Sequence, residues 1–210
     1  MRHLFIVGDS ISIQYGPFLK PLVESYFHYD RKRGEKQALA DLDQPVGANG
    51  GDSSRVLDYL TQEQHQGVSY DLLLLNCGLH DIKTDPLTGE RQISPARYRD
   101  NLERIIQTAR SMAKALIWVS TTDIIDDIHN SQSTSFHRFH RDVLEYNEIA
   151  SQVMEQHEVP IIDLYTFTLQ FGADAYRDHA HFTEEVQRRQ AEFIADYLMG
   201  SGLHASSSAE

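Results

Sequence analysis

The chain has 210 residues, with 19 Lys and Arg against 31 Asp and Glu, and a formal net charge of −12 with histidine neutral. A surface that acidic repels phosphate backbones and anionic lipids, so neither a nucleic acid nor a membrane is expected as a partner. The hydrophobic fraction of 40% and charged fraction of 24% are those of a soluble globular protein, and a chain of this size buries roughly 70% of its unfolded surface without staples.

The start, MRHLFIVGDS, has too few consecutive apolar residues for a secretory leader, and no later run approaches the roughly 18 needed to span a membrane. The expectation is a cytoplasmic protein, or a secreted or periplasmic one whose leader has been removed. HLFIVG (3–8) is a short continuous apolar run, the pattern of a strand buried on both faces. Residues 15–28 place Tyr15, Phe18, Leu19, Leu22, Val23 and Tyr26 at helical spacing, despite Pro17 and Pro21. QALADL (37–42) is a weaker strand candidate, because it lacks β-branched residues. A helix over 53–65 leads to the apolar run LLLLN (72–76), a helix over 95–113 to ALIWVS (115–120), and a helix over 138–157 to VPIIDL (159–164). The last helix, 183–199, has Thr183 as its cap and Glu184 and Glu185 in its first turn, where negative charge suits the helix dipole.

Strands alternating with helices imply an α/β protein, a parallel sheet covered on both faces, with one domain over 1–200. The polar stretch from Thr121 to Phe136 is long for a connection and suggests a rim or lid loop. The small polar tail SGLHASSSAE (201–210) suggests disorder. The single cysteine, Cys77, rules out an internal disulfide. Its position after DLLLLN favours a buried strand-end thiol over a nucleophile.

Ligands of such sheets bind beyond the carboxyl ends of the strands. There the sequence sets Gly8-Asp9-Ser10, the segment Gly47 to Ser53, Cys77 to Asp81, and the loop carrying Asp178 and His181. Ser10 stands where a helix begins, close to backbone N–H groups and the positive end of the dipole; a plain helix cap by Asp9 or Ser10 is the competing reading. A serine hydroxyl is a weak nucleophile until a base takes its proton, and the base must be held in the right tautomer. In RDHAHFTEE, three residues of tight loop allow the Asp178 carboxylate to fold back on the His181 ring, whose other nitrogen can then face Ser10. His179 is the rival imidazole, but it adjoins Asp178 too closely to serve both partners. GANGGDSS (47–54) offers three glycines ahead of a helix, with N–H groups unobstructed by side chains.

In this order the segments resemble the SGNH/GDSL hydrolase superfamily of serine esterases and lipases. GDS (8–10) is similar to its first block, GGDSS (50–54) to its second, GLHD (78–81) to its third and DHAH (178–181) to its last, so the likeness runs from residue 3 to about 199. The resemblance implies a three-layer α/β/α sandwich with a five-stranded parallel sheet of flavodoxin-like type. It also implies Ser10 as nucleophile, His181 as base, Asp178 as its orienting acid, and the backbone N–H groups of Ser10 and Gly51 as oxyanion donors. Where the third block usually has an asparagine donor this chain has His80, which is expected to replace it. No metal or organic cofactor is required.

The expected substrate is a small-molecule or oligosaccharide ester, preferably a short acyl group on an O-acetylated carbohydrate. Lysophospholipid and thioester substrates are the alternatives within the superfamily, and a catalytically silent binding module is the alternative outside enzymology. The loop 121–136, with Asp123, Asp126 and Asp127, is expected to line the alcohol side and disfavour anionic leaving groups. HRFH (137–140) spaces two histidines as a metal-ligand pair would on a helix, but no HExxH pattern accompanies it.

Overall fold

The structure, a computed structural model, describes residues 1–40, 42 and 47–200. The tail 201–210, expected to be disordered, lies outside the described residues. Five parallel strands form one sheet in the order β2-β1-β3-β4-β5: β1 (Arg2–Val7), β2 (Phe27–Arg31), β3 (Tyr70–Leu75), β4 (Ala113–Val119) and β5 (Ile161–Ile162). Between them run α1 (Ser10–Val23), α2 (Glu35–Ala40), α3 (Ser53–His65), α4 (Pro95–Met112), α5 (Asp126–Gln132) and α6 (His140–Gln156), followed after β5 by α7 (Leu164–Leu169) and α8 (Glu184–Gly200). Helix α1 packs with α8, while α4 packs with α3 and α6, so helices cover both faces of the sheet. This is the expected fold class.

The central strands are apolar throughout because both faces are covered: Leu72 to Leu75 of β3 are all buried. Parallel register, with Leu4 opposite Leu72 and Leu72 opposite Ala115, brings the carboxyl ends of β1, β3 and β4 to one edge. At that edge the Asn76 amide donates to the Val119 carbonyl at 2.9 Å, tying the end of β3 to that of β4.

Three expectations about elements are corrected. The described part of 37–42 is not a strand: residues 37–40 lie within α2, where only Ala38 is buried. The fifth strand is Phe27–Arg31, which overlaps the end of the helix expected over 15–28; α1 runs from Ser10 and stops at Val23. The strand lies at the sheet edge and buries alternate residues, Phe27, Tyr29 and Arg31. FHYDR therefore has no continuous apolar run, and Phe27 falls in with the preceding helical stripe. The long connection 121–136 is partly ordered as α5, and HRFH is not on a helix: His137 pairs as an isolated bridge with Thr84, and only His140 opens α6.

Candidate active site

Helix α1 begins at Ser10 because Asp9 caps it: the Asp9 carboxylate accepts the Ile11 N–H at 2.9 Å and its carbonyl accepts the Ile13 N–H. The Ser10 hydroxyl is thereby fixed at the mouth of the sheet, with the dipole of a 14-residue helix behind it.

From the other end of the chain, the loop before α8 folds into a tight turn. The Arg177 N–H donates to the His181 carbonyl at 2.8 Å, and Tyr176 bridges to Phe182. Inside the turn, Asp178 Oδ1 accepts the backbone N–H groups of Ala180 and His181 at 2.9 and 2.8 Å, which leaves Oδ2 facing the His181 ring, 2.9 Å from Nδ1. The other ring nitrogen, Nε2, lies 3.0 Å from Ser10 Oγ. Residues separated by 171 positions thus share one hydrogen-bonded chain. Partial burial raises the Asp178 pKa, but the hydrogen bonds from the His181 ring and the two N–H groups outweigh it and hold the carboxyl well below the usual range. An ionised carboxylate can only accept, so Nδ1 carries the proton and Nε2 presents its lone pair to the serine hydroxyl. His179 turns away: its ring centroid sits 4.5 Å from that of His129.

His80 lines the same open cavity, about 530 Å³ in volume, as Ser10 and His181. Burial and the neighbouring cations Arg138, Lys83 and Arg55 push its imidazole well below the ordinary histidine range, which favours the neutral ring. Its loop is fixed from both sides. The Arg138 Nε donates to the Leu79 carbonyl at 2.7 Å, and both oxygens of Asp81 accept the Ser53 N–H, at 2.9 and 3.1 Å. Burial pushes the Asp81 carboxyl up to about 7, against the hydrogen bonds from Ser53 that pull it down.

Gly51 is placed differently from what the sequence suggested. Its N–H donates to Asn49 Oδ1 at 2.8 Å, so that hydrogen is already occupied. Asn49, which the sequence reading passed over, lines the cavity itself, and among the described residues its amide Nδ2 has no acceptor. The only signal for Asn49 was its place in GANGG, two residues before a glycine at positive φ.

The aspartates of the 121–136 connection do not form this wall, contrary to expectation. Asp123 pairs with the His140 ring at 2.8 Å and Asp126 accepts the His140 N–H at 3.1 Å, in a separate depression beside Thr168 and Tyr176. The wall is built instead from the end of α5 and the loop to Phe136, together with Lys83, Arg138 and the buried His129. Burial, then the charge of Arg138, pushes His129 down to about 4. Among the described residues, no three His, Cys, Asp or Glu side chains converge as a metal site would need, and Cys77 is buried with its thiol pKa pushed far up by burial.

Residues 6–189 match the model of the GDSL-like lipase/acylhydrolase family. Comparison with curated protein sequences gave no match. Among solved structures, a lipase/acylhydrolase from Enterococcus faecalis superposes with a TM-score of 0.72 at 19% identity, covering 96% of this chain and 97% of that one. A catalytic mutant of an acetylxylan esterase from Geobacillus stearothermophilus gives a TM-score of 0.65 at 14% identity, covering 95% and 93%. A carbohydrate acetylesterase from Sinorhizobium meliloti gives 0.65 at 13% identity, covering 96% and 100%. At such identities the likeness is one of fold, and the family model carries the assignment: this chain belongs to the GDSL-like lipase/acylhydrolase family and is a carboxylic ester hydrolase.

Proposed function

We propose that the chain hydrolyses short acyl esters through a covalent acyl-serine, with an O-acetylated carbohydrate as substrate. The observation that carries the reading is the unbroken path Asp178–His181–Ser10, with contacts of 2.9 and 3.0 Å. His181 Nε2 takes the Ser10 proton as Oγ attacks the ester carbonyl; His181 then returns the proton to the departing alcohol. Water, deprotonated by the same nitrogen, attacks the acyl-serine and releases the acid. Asp178 holds the imidazole in the tautomer that can accept, and stabilises the imidazolium without taking its proton.

The tetrahedral oxyanion needs preorganised donors. The Ser10 N–H, at the first turn of α1, has no acceptor among the described residues. The neutral His80 ring takes the place of the asparagine of the third block. The third donor is the Asn49 amide, because the Gly51 N–H is spent on holding that side chain in place. The acetylated-carbohydrate assignment is supported by the two structural neighbours described as acetylxylan esterase and carbohydrate acetylesterase.

The test is labelling by a serine-directed phosphonate, followed by mass mapping. The protein is expected to take one adduct on Ser10, and Ser10→Ala to take none and to lose turnover of 4-nitrophenyl acetate. An adduct elsewhere in Ser10→Ala, with turnover intact, would refute the assignment. Faster turnover of long-chain esters than of acetate would replace the acetylesterase reading by a lipase or lysophospholipase one.

A further inference from the structure

The wall of the catalytic cavity is cationic in an otherwise acidic protein. Lys83 and Arg138 both line it, and none of its described lining residues is an Asp or Glu. The two cations gather on one aromatic ring: Lys83 Nζ lies 4.6 Å and Arg138 Cζ 4.9 Å from the centroid of Phe136, which also lines the cavity. Arg138 is only 8% exposed, and its Nε is used on the Leu79 carbonyl. Among the described residues, neither its two Nη groups nor Lys83 Nζ has a hydrogen-bond acceptor or a carboxylate within ion-pair distance. The acids that act on these cations, Asp9 on Arg138 and Asp52 on Lys83, are not among the described lining residues: Asp9 Oδ1 accepts the Ile11 N–H, and Asp52 accepts the Arg55 N–H and the Gln92 amide.

Burying cations is costly, and burial outweighs the attraction of Asp9 for Arg138 and of Asp52 for Lys83: it lowers the pKa of both groups, that of Arg138 to about 10, which leaves it charged at neutral pH. The Phe136 ring face answers part of that charge and the Leu79 carbonyl takes one nitrogen of the guanidinium, but neither uses the Nη groups or the Lys83 ammonium as hydrogen-bond donors. Unused among the described residues, the two Nη groups and the ammonium suit an oxyanion supplied from outside. The chain carries a net charge of −12, so generic attraction of anions does not explain the arrangement.

We infer that the ester accepted by this site carries an anionic group, a carboxylate or a phosphate, held between Lys83 and Arg138 while the scissile carbonyl lies at Ser10. The inference rests on the acetylesterase reading above and refines it. With acetyl as the acyl part the charge belongs to the alcohol, so the substrate class is an O-acetylated sugar acid or sugar phosphate rather than a neutral glycan.

The experiment compares kcat/KM of the full chain on 4-acetoxybenzoate and 4-acetoxyphenyl phosphate with that on the neutral methyl 4-acetoxybenzoate. Both or one of the anions should be preferred by about tenfold or more, the scale of one charge-assisted hydrogen bond. The relative rates of the two anions separate carboxylate from phosphate. Lys83→Met should remove most of that preference and Lys83→Glu reverse it, with the neutral ester as internal reference. Among the described residues, Lys83 holds no backbone group by its ammonium, so its variants keep the test open if Arg138→Met, which also releases the Leu79 carbonyl, does not fold. Hydrolysis of the neutral ester with no anion preference, or a preference unmoved at Lys83, would overturn the inference and leave the esterase reading standing. If no ester is turned over, the esterase reading fails instead. Calorimetry with benzoate and phenyl phosphate then decides the anion site by itself: binding that Lys83→Met weakens about tenfold supports it, and no binding overturns it.

Discussion

The carboxylate of Asp178 accepts two backbone N–H groups with one oxygen and the His181 ring with the other, so its geometry is set locally before Ser10 is involved. Asp178→Asn keeps the shape but can donate to Nδ1, which favours the tautomer that has no lone pair for the serine. Turnover of 4-nitrophenyl acetate is expected to fall by about 10⁴-fold with little change in stability. On the proposed reading, in which His80 donates to the oxyanion, His80→Ala is expected to cost about 100-fold in kcat with KM nearly unchanged; a negligible loss would place His80 outside the machinery. The buried His129 gives a stability signature. Below about pH 6.5 the unfolded chain gains a proton there, whereas the folded chain refuses it until about pH 4. The unfolded state therefore binds more protons across that window, and stability falls as the pH falls through it. Urea titrations at pH 7 and pH 4.5 should show this loss, and His129→Phe should flatten it by up to about 3 kcal/mol.

At the scale of elements, the site depends on three strand-end loops being held against one another. Gly78 has φ +153°, and a Cβ there would meet Thr121 Oγ1 at 2.4 Å, while that hydroxyl itself donates to the Cys77 carbonyl at 3.1 Å. Gly78→Ala therefore strains the backbone and displaces the β4 end together with the loop that carries His80. It is expected to lower stability by about 1–3 kcal/mol and to reduce turnover further than that loss explains, as measured by urea midpoint and kcat on the same preparation. The elements also show where sequence reasoning works. Runs such as LLLL in β3 are legible because both faces of a central parallel strand are buried. The edge strand FHYDR was not, because one-sided burial leaves only alternate residues apolar and the adjoining helix supplies a continuous stripe.

Across the whole molecule, one contiguous core of buried residues runs from β1 through the sheet to α8, so the first strand and the last helix are folded as a unit. Leu73, in the middle of β3 and 0% exposed, is far from the site but central to that core. Leu73→Ala is expected to cost about 2–5 kcal/mol, lowering the urea midpoint while leaving kcat of the folded fraction close to that of the parent.

By itself the sequence determined the α/β class and the family, and it singled out Ser10, Asp178 and His181 as the residues to bring together. Each of these is written locally, in apolar runs set by double burial or in short blocks whose residue types the chemistry restricts. Only the tertiary structure decided that Asn49 occupies the hydrogen of Gly51, that Asp123 and Asp126 face His140 instead of the cavity, and that Lys83 and Arg138 meet on Phe136. Those outcomes depend on which side chains distant segments bring together, and a side chain's charge and hydrogen bonds acquire a direction only when its neighbours across the fold are in place.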